Sequence, residues 1–280
     1  MKKVALITGA ASGMGYALSQ RLARDNWTVI LTDRNQEQVN AAAKSLMGKG
    51  GERIATAVDV TDYAAINKVI DEVIGRHGRL DLVVNSAGVA IFGEMKDMSI
   101  DDWKPVINVN LWGAIYVTDV AYKKMVAQGS GHIVNIASAA GIVPSTMRIP
   151  YTTSKHGVVG LSTSLRAEAK KYGVKVSVVC PGVVNTNIFN TVKIVGAPQD
   201  MIKNEVKEKR VMSADTAAEH ILRGISRNKA IIPLTVSAYL VWWVYRYTPG
   251  IYRMFLGKIT KYYRTLIDRS NQTKTSRKNT

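Results

Sequence analysis

An α/β fold, a doubly wound parallel sheet with helices on both faces, is what three features of this 280-residue chain predict. Short continuous Val/Ile/Leu runs alternate with longer helical patterns, the form taken by strands that are buried on both faces. A glycine loop, Thr8-Gly9-Ala10-Ala11-Ser12-Gly13-Met14-Gly15, joins the first apolar run to the first helical pattern. The single cysteine, Cys180, lies inside an apolar run, so no disulfide framework or thiolate metal cluster competes with that reading.

The elements follow in order. Val4 to Thr8 is an apolar strand, and the spacing of Leu18, Leu22 and Ala23 makes the next segment helical. Trp27 to Thr32 reads as the second strand and Gln36 to Met47 as an alanine-rich helix. Ile54 to Val58, helix Ala64 to Ile74, and strand Leu80 to Val84 continue the alternation. A long helix over Trp103 to Met125, strand His132 to Ile136, helix Tyr151 to Tyr172 and a strand ending at Cys180 come next. Helix Ala214 to Ser226 and strand Ala230 to Pro233 close the alternation. Right-handed crossovers wind such units into one sheet. Residues 1–233 are therefore read as one domain, 234–269 as a helical appendage and 270–280 as a polar, disordered tail.

Hydrophobic residues make up 46% of the chain, enough for a sizeable core. The formal charge is +17, and residues 234–280 hold nine Lys/Arg against Asp268, a net +8. Nearly half of the excess thus sits in the last sixth of the chain. There Tyr239, Trp242, Trp243, Tyr245, Tyr247, Tyr252, Phe255, Tyr262 and Tyr263 are interleaved with the basic residues. The uncharged run is shorter than the roughly 20 apolar residues that span a bilayer. Aromatic rings beside basic groups fit a helix lying at the headgroup boundary. They equally fit a helix docked on its own subunit or a neighbour, roofing a substrate entrance, and both readings stay open. Nucleic acid is disfavoured, because no recognition module accompanies the charge. The opening run Val4-Ala5-Leu6-Ile7 is too short for a signal peptide, so the expectation is a cytoplasmic protein, with peripheral membrane contact through 234–269.

The glycine loop follows a strand and opens a helix. Gly9 can take the tight turn, Gly13 admits a pyrophosphate to the backbone, and Gly15 lets helix and strand pack closely. Ser12 and Met14 complete the loop that would hold the dinucleotide. Asp33 ends the second strand, at the interval where an acidic residue meets the adenosine ribose diol. A carboxylate there favours NAD and repels the 2′-phosphate of NADP. Arg34 is the dissenting residue, since a guanidinium can reach that phosphate.

Tyr151 and Lys155 stand one helical turn apart, so an ammonium can stabilise a tyrosinate whose parent phenol has a pKa near 10. Ser138, after the strand His132 to Ile136, can hydrogen-bond a substrate oxygen. The four histidines show no metal-ligand spacing, and no metal site is expected. Together the glycine loop, Ser138 and Tyr151-Thr152-Thr153-Ser154-Lys155 resemble the short-chain dehydrogenase/reductase family over about residues 3–233.

That resemblance implies a Rossmann-type sheet and a catalytic tetrad of Asn110, Ser138, Tyr151 and Lys155, with Asn110 holding a water against the lysine. It also implies cofactor contacts from Asp59 and Val60, from Asn85, Ala87 and Gly88, and from Pro181, Gly182, Val184 and Thr186. Ser86 departs from the family pattern Asn-Asn-Ala-Gly, in a motif that is largely architectural. A homodimer or homotetramer paired through the helices 103–125 and 151–172 is a further family expectation.

Two stretches should wall the substrate pocket, contributing Ser138, Ala140, Ile142, Val143 and Met147 on one side and Val183, Ile188 and Phe189 on the other. Their apolar character suits a hydrophobic alcohol or ketone. Lys193, Lys203, Lys207, Lys209 and Arg210 read as a solvated face. The leading function is NAD-dependent interconversion of a hydrophobic secondary alcohol and its ketone. The alternatives are an NADPH-dependent reductase of a ketone or 3-oxoacyl thioester, and a dinucleotide-sensing membrane-surface or scaffold protein without turnover.

Overall fold

The computed structural model describes residues 2–46, 51–199 and 211–278, with side chains as far as Asp268. Seven strands form one parallel sheet: β1 (Val4–Thr8), β2 (Thr28–Asp33), β3 (Arg53–Ala57), β4 (Leu82–Asn85), β6 (Gly131–Ile136), β7 (Val174–Cys180) and β11 (Ile231–Pro233). Their order is β11-β7-β6-β4-β1-β2-β3. Strand ends differ from the sequence expectation by one or two residues.

Strand periodicity sorts the core into two layers. Ala5 and Ile7 of β1, with Val29 and Leu31 of β2, face α1 (Gly13–Arg24), α2 (Gln36–Ser45) and α8 (Ala214–Ser226). Val4, Leu6 and Ile30 face α3 (Tyr63–His77) and α5 (Gly113–Gln128), and α6 (Ile149–Ala169) closes that layer. Leu6, Ile7, Ile30 and Leu31 are all but inaccessible to solvent. Burying each contributes roughly 1.5–3 kcal/mol. Helix starts carry the side-chain caps that orphaned N–H groups need: Asn35, Asp62 and Ser213 accept from the third residue onward. Because β1 pairs with both β2 and β4, the chain reverses its winding there, and a crevice opens beyond the carboxyl ends of those strands.

The long helix expected over Trp103 to Met125 is interrupted. α4 (Ile100–Ile107) passes into a π-helical turn over Asn108–Trp112 before α5 resumes. A widened turn of this kind re-aims one side chain, here Asn110, into the interior.

The C-terminal region is α9 (Val236–Tyr247), N-capped by Thr235, followed at Pro249 by α10 (Pro249–Lys278). Pro249 stands at the first helical position, where its missing N–H is harmless. α10 runs through 270–278, the segment whose polar composition reads as disordered, because no glycine or proline from 258 to 278 breaks the helix. It folds back on the sheet domain rather than extending from it. The Tyr252 hydroxyl donates to the Pro144 carbonyl at 2.7 Å, and Arg264 forks onto Glu94 at 3.0 and 2.8 Å. The Tyr263 ring meets Phe92 edge-on at 5.1 Å. Phe92 lies on β5 (Ile91–Phe92), which pairs with β9 (Lys193–Ile194). β8 (Val184–Asn185) and β10 (Met212–Ser213) form a second short pair, with α7 (Ile188–Thr191) between β8 and β9. Among the described residues no helix is long and apolar enough to cross a membrane.

Candidate active site

The crevice between β1 and β4 holds a cleft of about 310 Å³. Its floor is the glycine loop. Gly9 has φ +62°, and a Cβ there would lie 2.8 Å from the Ala87 backbone. At Gly15 a Cβ would strike the Gly9 carbonyl at 2.4 Å, so α1 can approach β1 only with glycine at that position. Thr8 ties the two strand ends together by accepting from the N–H groups of Ser86 and Ala87 at 3.1 and 3.2 Å. Gly9, Ser12, Gly13, Met14, Asp33, Arg34, Asp59, Val60, Ala87, Gly88 and Thr186 all border the cleft, together with Tyr151 and Lys155. The Asp33 carboxylate accepts from Ala11 N–H at 3.3 Å and Asn35 N–H at 3.2 Å, which holds it beside the loop. Each oxygen keeps further acceptor capacity for a diol. A backbone cradle cleared of Cβ atoms at a helix N-terminus, with a carboxylate at its far side, fits a dinucleotide.

Five residues expected at the cofactor do not border this cleft. Gly15 supports the loop from behind. Asn85 turns inward, donating to Asn135 Oδ1 at 2.7 Å and Thr118 Oγ1 at 3.2 Å, because β4 alternation sends that side chain between helix and sheet. Pro181, Gly182 and Val184 line the adjacent cavity instead of the cleft.

That adjacent cavity encloses about 360 Å³. Ser138, Ala140, Val143, Val183, Ile188 and Phe189 line it as expected. Ile142 and Met147 do not. Ile142 packs with Ala137, Val158 and Cys180, and Met147, at φ +61°, packs with Phe92 and Ile194. Lys193 is exposed, as expected, and pairs with Asp102 at 2.6 Å. Lys203, Lys207, Lys209 and Arg210 lie outside the described residues. The lining also contains residues that sequence reasoning missed: Ile91, Phe92 and Arg148, Ser237, Ala238 and Val241 of α9, and Tyr263 of α10. The α9 and α10 contributions had no local signal, whereas Arg148, one turn before Tyr151, could have been found by helical spacing.

Tyr151 borders both cavities, and Ser138 lines the apolar one beside it. Burial pushes the phenol above its ordinary pKa, opposed by the Ser138 hydrogen bond and the charge of Arg148. Lys155 is pushed down to about 8 by burial. Its Nζ donates to the Ile136 carbonyl at 2.9 Å and lies 5.6 Å from the centre of the Tyr151 ring. Ser138 Oγ accepts from Ala140 N–H at 3.1 Å, which fixes its rotamer at the end of β6. Asn110 Oδ1 accepts from Val89 N–H at 2.8 Å, and its Nδ2 donates to the Val89 carbonyl at 2.9 Å and Ser154 Oγ at 3.2 Å. A Cβ at Gly88 would lie 3.3 Å from Asn110 Oδ1 and 3.6 Å from Lys155 Nζ, so both polar groups face the space that this glycine leaves open.

The short chain dehydrogenase family model matches residues 3–194. D-threitol dehydrogenase of Mycolicibacterium smegmatis is 39% identical over 186 residues, covering 66% of this chain and 72% of that protein. A 3-oxoacyl-acyl-carrier-protein reductase of Thermotoga maritima is 36% identical over 184 residues, 66% of this chain and 75% of its own. A short chain dehydrogenase/reductase from Burkholderia phymatum, solved in complex with NAD, superposes with a TM-score of 0.81 at 25% identity, covering 89% of this chain and 95% of that one. With the parallel sheet, the glycine cradle and the Tyr151 environment in agreement, the chain belongs to the short-chain dehydrogenase/reductase family of nicotinamide-dependent oxidoreductases.

Proposed function

We propose that the protein is an NAD-dependent oxidoreductase interconverting a hydrophobic secondary alcohol and its ketone. One observation carries this reading: the Tyr151 phenol stands at the boundary between the dinucleotide cleft and an apolar cavity that Ser138 also lines. In alcohol oxidation Tyr151 accepts the hydroxyl proton while Ser138 holds the same oxygen. Lys155, protonated below about pH 8, stabilises the phenolate. In ketone reduction the phenol returns that proton to the carbonyl oxygen. The dinucleotide, when bound, supplies the hydride acceptor or donor. Asn110 acts as a positioning residue, tying the π-helical turn to Val89 and Ser154.

Asp33 supports NAD. Titration of the purified protein with NADH and NADPH, side by side by fluorescence, is the test. We expect NADH to bind at least about ten-fold tighter, the cost of setting a phosphate against a carboxylate. Tighter NADPH would assign the cleft to Arg34 and point to a reductase of a ketone or 3-oxoacyl thioester. Tight dinucleotide binding without turnover across an alcohol and ketone panel would favour a sensing role.

A second reading rests on the outer face of α9. Val236, Tyr239, Leu240, Trp243 and Tyr247 recur at helical spacing and are exposed, while Ser237, Ala238 and Val241 on the other side line the substrate cavity. The exposed apolar row continues with Ile251, Met254 and Phe255, beside Arg246, Arg253 and Lys258. An aromatic face within a region of net +8 is complementary to an anionic membrane surface, and we infer that this is its occupant. Pairing of copies through α5 and α6 belongs to the same proposal.

A further inference from the structure

Arg148 is a half-buried charge on an apolar wall. It is the one charged side chain among the described residues that line the apolar cavity. Its Nε is buried without a hydrogen-bond partner, and no carboxylate meets its guanidinium among the described residues. The contact it does make is with the Phe92 ring, whose centre lies 5.9 Å from the guanidinium carbon.

Three other part-buried arginines have polar partners for the guanidinium. Arg79 is paired with Asp81, Arg21 with Asp215, and Arg166 donates to the Val176 and Asn228 carbonyls and to Asn228 Oδ1. A guanidinium does not lose its proton in proteins. Holding it half-buried, with Nε unpartnered and no counter-ion among the described residues, costs more than one ring contact returns. The cost is tolerated where a bound anion removes it. Arg148 also stands at the N-cap of the 21-residue helix α6, whose positive end adds to the same field.

Arg148 lies one helical turn before Tyr151, and both line the same cavity. A ligand reaching both would place an oxygen at the phenol and a negative charge at the guanidinium. One guanidinium matches one planar carboxylate in a two-pronged hydrogen bond; a phosphate dianion would call for more cations than the cavity offers. The remaining walls are apolar and would enclose a hydrocarbon body.

We infer that the substrate is an amphiphilic hydroxy acid, or the oxo acid formed from it, with its carboxylate gripped by Arg148 and its secondary alcohol at Tyr151. This rests on the redox reading of Tyr151 given above. It narrows that reading from a neutral hydrophobic alcohol to one carrying a carboxylate.

Two measurements on the full-length protein separate the claims. In the first, octanoate and octanamide are titrated into the enzyme–NADH complex, with NADH fluorescence as the readout. We expect octanoate to bind at least about ten-fold tighter, as befits a hydrogen-bonded charge, with Arg148→Met abolishing the difference and Arg148→Lys restoring part of it. Equal affinity for acid and amide in the wild type would overturn the inference. That comparison needs no variant, so it stands even if Arg148→Met fails to fold.

In the second, hydroxyoctanoates differing in hydroxyl position are compared with their primary amides under NAD. At the productive position kcat/KM for the acid should exceed that for the amide about ten-fold, mostly through KM, and Arg148→Met should bring the ratio to about one. Turnover of amides and acids alike would overturn the carboxylate assignment and leave the redox reading intact. Selective octanoate binding without turnover of any alcohol would do the reverse.

Discussion

Tyr151 is held between opposing influences. Burial raises the pKa of its phenol, and Ser138 and Arg148 pull it down. Lys155, the group that should stabilise the phenolate, is driven toward neutrality by the same burial. The two groups proposed to move the proton thus sit where burial disfavours the charged form of each. Replacing Tyr151 by Phe removes the hydroxyl and almost no volume. We expect kcat to fall at least about 100-fold, the usual worth of a positioned acid–base group, with NADH affinity retained. Steady-state kinetics beside a fluorescence titration checks both parts, and turnover near the wild-type rate would exclude Tyr151 as the proton carrier. Cys180, beneath this site, is buried with its thiol pushed up to about 12, so it packs and does not react.

At the scale of elements, the sheet contains its own titrating group. His132 of β6 is buried, bonded through Nε2 to Ser177 Oγ of β7 at 2.9 Å, and burial pushes its pKa down to about 4. The unfolded chain binds a proton there near pH 6.5 and the folded chain only near pH 4. Between those values the unfolded state holds more protons, so stability falls as pH drops from 6.5 to 4, by about 3 kcal/mol from this group alone. Urea unfolding across that range should show the decline, and His132→Gln should flatten it. An unchanged slope in the variant would move the effect to other groups.

The same scale shows how much was legible beforehand. Strands with continuous apolar runs, and the strand–loop–helix around Gly9, are set by local spacing and by steric demands that only glycine meets, so they could be read directly. The long helix was misread because a π-helical turn depends on Asn110 finding Val89, which sequence spacing does not encode. Ile142 and Met147 were assigned to the pocket on polarity alone. The positive φ of Met147 and its contact with Ile194 of β9 turned it into a separate core.

For the whole molecule, α9 and α10 are both roof and outer surface. Their inner side chains complete the apolar cavity, and Tyr252 and Arg264 fasten them to Pro144 and Glu94. Removing 234–280 would open the cavity and strip these contacts, so membrane attachment is better tested by point changes on the outer face. The full-length protein should float with phosphatidylglycerol vesicles and less with phosphatidylcholine, since exposed cations respond to anionic headgroups. Changing Leu240, Trp243 and Tyr247 together to Ser should reduce that flotation several-fold while NADH affinity stays the same, since none of the three lines the cleft. A wild type that ignores anionic vesicles, or a triple variant that changes only its oligomeric size, would assign the face to a second copy of the chain.

The sequence by itself determined the winding of the sheet, the glycine cradle with Asp33, and the placing of Tyr151 one turn before Lys155. Each follows from periods of two or 3.6 residues, or from steric limits acting over a few positions. Only the tertiary structure decided that Asn85 faces the interior, that the appendage roofs the apolar cavity, and that Arg148 stands in that cavity with no counter-ion among the described residues. Those outcomes depend on which distant side chains arrive at the same place. A charge counts as unpaired only when every neighbour is known, and local spacing names the neighbours on one element alone.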